Sequence, residues 1–172
     1  MAACRSNVRS LTRSLNIVSF NMHGFNQGCV AIDELISSNS PDIFLVQEHC
    51  LTPANLHKFE ERFSDYFAFG STAMANQVES GMLRGRPYGG LMNLIKNDLH
   101  NLMQTIHSEE RLTVVKVANY LLLNVYLPCA GTKDRLLICE DLLENLWSLR
   151  ERFPDCECLI AGEFYADHSV AR

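Results

Sequence analysis

Polar side chains able to do chemistry stand where the apolar runs of this sequence stop. Asn21 closes the run that starts at Leu15, and Gln47-Glu48 close "DIFLVQE" at 42–48. Asn124 and Tyr126 sit beside Pro128 in "YLLLNVYLP", and Glu163, then Tyr165, follow "CLIAG" near the end. At a strand end the backbone is rigid and the side chain reaches a crevice, which is where α/β sheets collect their ligands. A side-chain amide, a phenol and two carboxylates meeting there would offer hard oxygen donors, which suit Mg2+ or Mn2+ and not zinc. Such an ion, held by a carboxylate, stabilises charge on phosphoryl oxygens and lowers the pKa of a bound water. The bland alternative is that each residue marks a strand leaving the core. The pattern alone leaves that alternative open.

The elements that must position these groups follow from periodicity. "LNIVSF" at 15–20 predicts a strand, and "GCVAIDELISS" predicts a helix from the spacing of Val30, Ile32, Leu35 and Ile36, stopped at Ser40-Pro41. The nearly all-apolar 42–48 predicts a strand buried on both faces. Thr52-Pro53 predicts a helix start, with Leu56, Phe59 and Phe63 as its apolar face. "YFAFG" predicts another strand, and 71–88 a long aperiodic loop. "GGLMNLIK", "LHNLMQTIH", "RLTVVKVA" and "YLLLNVYLP" predict an antiparallel meander. Thr132 predicts the cap of a helix over 133–152, with Leu136, Cys139, Leu143, Leu146 and Phe153 on one face and Trp147 in its packing. "CECLIAGE" predicts the last strand. The order implies a layered α/β protein with mixed strands.

A chain of 172 residues suits one domain with its own core, and 47% apolar with 20% charged residues fits a globular protein. No apolar run approaches the roughly 20 residues that span a bilayer, so no membrane partner is expected. The net charge of −5 argues against strong DNA affinity from charge alone, but not against a carboxylate–metal site working on phosphates. The charge is uneven: the first acid is Asp33, and Arg5, Arg9 and Arg13 precede it. That composition predicts a flexible basic arm over 1–14. Mitochondrial targeting is not expected, because the strand pattern begins at Leu15, and no apolar stretch precedes it to make a secretory signal. Seven scattered cysteines without a CxxC pair predict reduced thiols in the nucleus or cytoplasm.

The blocks "LNIVSFNMHGFNQG", "PDIFLVQEHCL", "GRPYGGLMNLIK", "RLTVVKV", "LLLNVYLP" and "CLIAGEFYAD" resemble, in order and spacing, the endonuclease/exonuclease/phosphatase superfamily. Within it they are most similar to the apurinic-type endonuclease domain of non-LTR retrotransposons. The resemblance covers about 15–168. It implies a four-layered α/β sandwich, two mixed sheets face to face with helices outside, and Mg2+ (or Mn2+)-dependent hydrolysis of DNA phosphodiesters. It also implies the site. Glu48 would be the main metal ligand and Asn21 would lie at the metal–phosphate edge. Tyr126 would contact the scissile phosphate, with Asn124 beside it as a substrate group. A reverse transcriptase would be the partner in a full-length element.

The resemblance departs at the end. Relatives write "GDFN", whose Asp orients or deprotonates the attacking water and whose Asn contacts the phosphate; here Glu163 and Tyr165 take those places. Relatives continue with a segment carrying an Asp and a Ser-Asp-His motif, and Asp167-His168 comes too early to match it. The expectation is therefore a domain over 15–172 that lacks the C-terminal segment, with an incomplete second sheet, bare apolar faces and an unpaired edge. Arg84 and Arg86 in the long loop are candidate DNA-backbone contacts. His23 and His49 read as loop histidines, and Gly89-Gly90 as a tight turn with a close strand approach. Two other functions stay open: a catalytically inactive remnant or nucleic-acid-binding module, and a phosphatase or phospholipase of the same superfamily.

Overall fold

Alternation of large apolar side chains builds two buried faces on each central strand. In "IFLVQ", Ile43 and Leu45 point one way and Phe44 and Val46 the other, and all four are fully buried. The computed structural model describes residues 13–81 and 85–165. β1 (Ile17–Asn21) runs parallel to β2 (Ile43–Gln47), joined by helix α1 (Phe25–Asn39). β2 pairs antiparallel with β4 (Leu91–Lys96), and β4 with β3 (Tyr66–Ser71), giving a four-stranded sheet of order β1-β2-β4-β3. The second sheet, order β5-β6-β7-β8, also has four strands. Its members are β5 (Met103–Glu109), β6 (Leu112–Val117), β7 (Tyr120–Tyr126) and β8 (Glu157–Glu163). β7 and β8 are parallel, joined by the long helix α4 (Arg135–Arg152).

Three cores hold four layers. Between the sheets lie Ile43, Leu45, Ile95, Val115, Val117 and Leu122. Outside the first sheet, Phe44, Val46, Met92 and Leu94 meet Ile32 of α1 and Phe59 of α2 (Lys58–Arg62). Outside the second, Val114, Leu121, Leu123 and Val125 meet Leu142 and Leu149 of α4. Each such side chain contributes about 1.5–3 kcal/mol by leaving water. The expected class, two mixed sheets flanked by helices, is what the chain forms. The second sheet has β5 and β8 at its edges, and on β8 Leu159 and Ile160 are 39% and 46% exposed.

Several local expectations fail for identifiable reasons. β4 is not part of the meander. A 3-10 turn (Asn97–Leu102) carries the chain from the first sheet to the second, so the meander of the second sheet is β5, β6 and β7 alone. The stretch after Pro53 is broken into a 3-10 turn (Pro53–Asn55) and the short α2, and the Thr52 side chain caps no backbone N–H. The 71–88 loop contains α3 (Ala75–Glu79). α4 starts at Arg135, not under a Thr132 cap. Its inward row is Leu142 and Leu149, with Leu146 and Phe153 beside them; Leu136 and Leu143 face out. Trp147 is 70% exposed, with its indole N–H donating to Glu151 one turn on, so it is not core. Both rows have helical spacing, and only the position of the sheet decides between them. Arg13, expected in the flexible arm, is tied to Asp42 at 2.8 Å and Asp98 at 3.2 Å; Arg5 and Arg9 lie outside the described residues. The described cysteines are free. Among the described residues, no helix is long and apolar enough to cross a membrane.

Candidate active site

The ends of β1, β2, β7 and β8 come to one edge of the facing sheets. β1 and β2 end in register at Asn21 and Gln47, β7 and β8 at Tyr126 and Glu163. Backbone bonds then stitch the two loops that leave the first sheet. Met22 N–H donates to Gln47 C=O at 2.8 Å, Gly24 to Glu48 at 2.8 Å and Phe25 to His49 at 2.9 Å. Glu48 sits in the left-handed region at φ 55°, uncommon for a residue with a side chain, and its carboxyl turns back over the strand ends.

That carboxyl is the hub. Tyr126 O–H donates to Glu48 Oε1 at 2.7 Å, and Tyr165 O–H donates to the same oxygen at 3.3 Å. The two phenol oxygens are 3.3 Å apart and their rings meet edge to face. His23 Nδ1 lies 3.2 Å from Glu48 Oε2. Asn21 accepts the His23 backbone N–H on Oδ1 at 3.0 Å, and its Nδ2 donates to Glu163 Oε2. The same amide also stabilises the charged Glu48, so it lies between two carboxylates. Burial pushes the Glu48 pKa up, but hydrogen bonds from Tyr126, Asn21 and Tyr165, with His23 nearby, outweigh it and hold the group below its ordinary value. Burial, then the hydrogen bonds to Tyr165 and Glu48, raises the Tyr126 pKa well above its ordinary value. Burial, with the Glu48 and Glu163 carboxylates close by, pushes Tyr165 up to about 12. Both phenols remain O–H donors at neutral pH.

Asn21, Glu48, Tyr126, Glu163 and Tyr165 are thus brought together. Asn124 is not with them. It is fully buried between the sheets, accepting from Gln47 Nε2 at 2.7 Å and donating to Asn93 Oδ1 at 3.1 Å, Val46 C=O at 3.1 Å and Met92 C=O at 3.3 Å. With its amide fully engaged it is a strut behind the site, a correction to its expected place as a substrate group. Arg86 is exposed on the segment before β4 and takes part in none of these bonds; Arg84, Asp167 and His168 lie outside the described residues.

His49 lies in the loop after β2, as expected, but it is not solvated. It is 0% exposed; its Nδ1 accepts the Leu51 N–H at 3.0 Å and its Nε2 lies 2.9 Å from Ser71 C=O. A carbonyl can only accept, which fixes the N–H on Nε2. The ring braces the turn that carries Glu48. Gly90 lets it fit: a Cβ there would stand 2.4 Å from the imidazole, and φ is +93°. The close approach expected at Gly89-Gly90 is present, though to the His49 ring and not to a strand. Arg111 is a site residue that sequence reasoning missed. Its guanidinium carbon lies 5.7 Å from the Tyr126 ring centroid, and among the described residues its buried Nη1 finds no partner. The available signal was the β6–β7 pairing: Leu112 faces Val125, and Arg111 C=O accepts from Tyr126 N–H at 3.0 Å, so residue 111 stands against 126.

Among the described residues no three of His, Cys, Asp and Glu form a metal-binding group. The donors that do converge are two carboxylates spanned by one amide. That set fits Mg2+ or Mn2+, which take one or two carboxylates, several waters and substrate oxygens, and it does not fit a closed zinc cage.

No protein-family model and no curated protein matches the sequence. Solved structures do match the fold. A 3′ phosphatase from Neisseria, solved bound to a product DNA hairpin, aligns with TM-score 0.64 at 15% identity, over 88% of this chain and 58% of its own. An AP endonuclease from Archaeoglobus fulgidus gives 0.60 at 17% identity, over 87% of this chain and 56% of its own. A 3′–5′ exonuclease from Neisseria meningitidis gives 0.59 at 16%, over 87% and 57%. The chain spans a little over half the length of each.

Proposed function

We propose that this edge is the active site of a metal-dependent DNA phosphodiesterase, an endonuclease of the apurinic type. The observation that carries the reading is the Glu48 carboxylate held at a left-handed turn, with the Asn21 amide between it and Glu163 and Tyr126 donating to it. Glu48, with Asn21 at its edge, would hold Mg2+ or Mn2+. When bound, that ion supplies charge neutralisation at the phosphoryl oxygens and an acidified water. The chain's own groups do the rest. Asn21 fixes the Glu163 carboxylate, which takes the proton of the attacking water. Tyr126 turns its O–H from Glu48 to a phosphate oxygen once substrate is bound. Arg111, its guanidinium carbon 5.7 Å from the centroid of that ring, adds positive charge behind the phosphate position.

The finer reading is a retrotransposon-type enzyme that nicks target DNA for a reverse transcriptase, in the nucleus or cytoplasm. The retroelement-like blocks around Tyr126 and Glu163 support it. A second reading, a nucleic-acid-binding remnant without turnover, draws on the absence of a third metal-ligating side chain among the described residues.

Purified protein is expected to nick supercoiled plasmid in Mg2+, to stop in EDTA and to lose activity on the order of 100-fold as Glu48→Ala, since removing the cation's anchor misplaces every reacting group. One structural neighbour is a 3′ phosphatase, so a 3′-phosphorylated oligonucleotide belongs beside plasmid and inositol phosphates in the assay. DNA binding without cleavage above the Glu48→Ala background would establish the remnant. Preference for inositol phosphates would move the substrate away from DNA.

A further inference from the structure

Tyr165 is held from behind. Arg135, the first residue of α4, donates through Nε to Pro128 C=O at 3.1 Å and through Nη2 to Tyr165 C=O at 3.4 Å. The Tyr165 backbone is left-handed, φ 38°, a conformation that aromatic residues adopt only when their surroundings impose it. The result is a phenol delivered onto Glu48 Oε1, 3.3 Å away, and onto the Tyr126 hydroxyl at the same distance. An ionised carboxylate offers about four lone-pair sites, two on each oxygen. On Glu48, Tyr126 and Tyr165 together take both sites of Oε1, and His23 faces Oε2. A divalent cation bound at ~2.1 Å needs one of those sites and cannot share it with an O–H. Binding through Oε1, alone or together with Oε2, therefore means displacing a donor. The Tyr126 bond is short, at 2.7 Å; the Tyr165 contact is the longer one and follows the last strand, so it yields first.

We infer that Tyr165 is a displaceable latch on the cation-binding carboxylate: it occupies Glu48 Oε1 when the site is empty and must swing away before a divalent ion engages that oxygen. The inference rests on the reading of Glu48 as the cation's holder. It gives Tyr165 a positioning and gating role in place of the phosphate contact that its place in the sequence implies. A site latched in this way responds to cation concentration over a higher range than the bare carboxylate would.

The test is direct Mn2+ binding to the full chain without DNA, read from the paramagnetic resonance signal of the free ion. Tyr165→Phe keeps the ring and removes only the hydroxyl. It is expected to bind Mn2+ about ten-fold more tightly than the parent, the effect of deleting one competing hydrogen bond to a charged group. Arg135→Ala, which frees the backbone behind the latch, is expected to shift affinity in the same direction. Damage to the fold weakens binding and does not tighten it, so a gain separates a latch from a structural residue. A second readout is the tyrosine ultraviolet difference spectrum on adding Mg2+, expected to shrink in Tyr165→Phe because the displaced phenol is gone. Unchanged Mn2+ affinity in Tyr165→Phe, with binding abolished in Glu48→Gln, overturns the latch and leaves the cation reading intact. Equal Mn2+ affinity in Glu48→Gln and the parent overturns the cation reading, and the latch with it.

Discussion

Glu48 and His49 are neighbours in sequence with opposite electrostatic needs. Glu48 is kept charged by the donors around it, and burial keeps His49 neutral. Burial outweighs the hydrogen bonds of the imidazole and lowers the His49 pKa to about 4. In the unfolded chain the same group titrates near its ordinary 6.5. Below that value the unfolded state binds a proton that the folded state refuses, so stability is full above pH ~6.5 and falls as the pH drops toward about 4. The loss across that window is roughly 3 kcal/mol. Asp42 and Glu48 act lower. Their pKa values lie below the ordinary 3.8 and 4.5, so their contributions are present above those values and go only as the pH falls beneath them. Urea melts at pH 7 and pH 5 are expected to show the His49 loss. A His49→Gln variant should be less stable at pH 7, having lost the braced ring, yet nearly flat between the two. An equal drop in both proteins would assign the acid sensitivity elsewhere.

At the scale of elements, β8 delivers Glu163 only because Gly162 lets the strand close on β7. Gly162 pairs with Val125 at φ +144°, and a Cβ there would stand 1.8 Å from the Val125 carbonyl oxygen. Gly162→Ala is therefore expected to cost roughly 2–4 kcal/mol and to pull Glu163 off Asn21. Thermal melting reads the first effect and plasmid nicking the second; a variant with parental melting and parental nicking would show that the strand end has room to shift. The strands were legible in the sequence because both their faces are buried and β-branched or large apolar residues fill them. The chemistry-bearing strand ends were legible for the same reason: a polar side chain closing such a run is conspicuous. What could not be read is how strands are shared between sheets. β4 looks like the first member of a meander, yet it pairs with β2 and β3, because pairing depends on where a 3-10 turn aims the chain. The same blindness hid Arg111, whose role follows from a hairpin register, and misplaced Asn124, whose burial follows from the face that β7 turns to β2 and β4. The inward row of α4 was unreadable too, since the rows through Leu142 and Leu143 are equally periodic.

At the scale of the molecule, the second sheet ends in a strand whose outer edge has no partner among the described residues and a helix with a bare apolar side. β8 carries Leu159 and Ile160, α4 carries Leu136, Leu137, Leu143 and Trp147, and all are well exposed. Cys158, Ile160, Leu143, Leu146 and Trp147 line an apolar groove of about 270 Å³ between strand and helix. An open strand edge offers unpaired N–H and C=O groups, and sequences that tolerate one usually guard it with charge or proline. The only acids on β8 are at its two ends, Glu157 and Glu163, so its middle is unguarded. Apolar surface beside an open edge makes strand pairing between copies favourable, because backbone bonds form while the groove is covered. The isolated chain is expected to self-associate as its concentration rises, with light scattering across a dilution series giving a mass that climbs above the monomer. Ile160→Lys places a charge in the middle of the edge and is expected to return the protein to monomer at the same concentrations. Its melting should stay near the parent's when both are dilute, since Ile160 is already half in water. A parent that stays monomeric throughout would mean that α4 and β8 shield each other well enough alone. Association that Ile160→Lys leaves untouched would place the contact on another face.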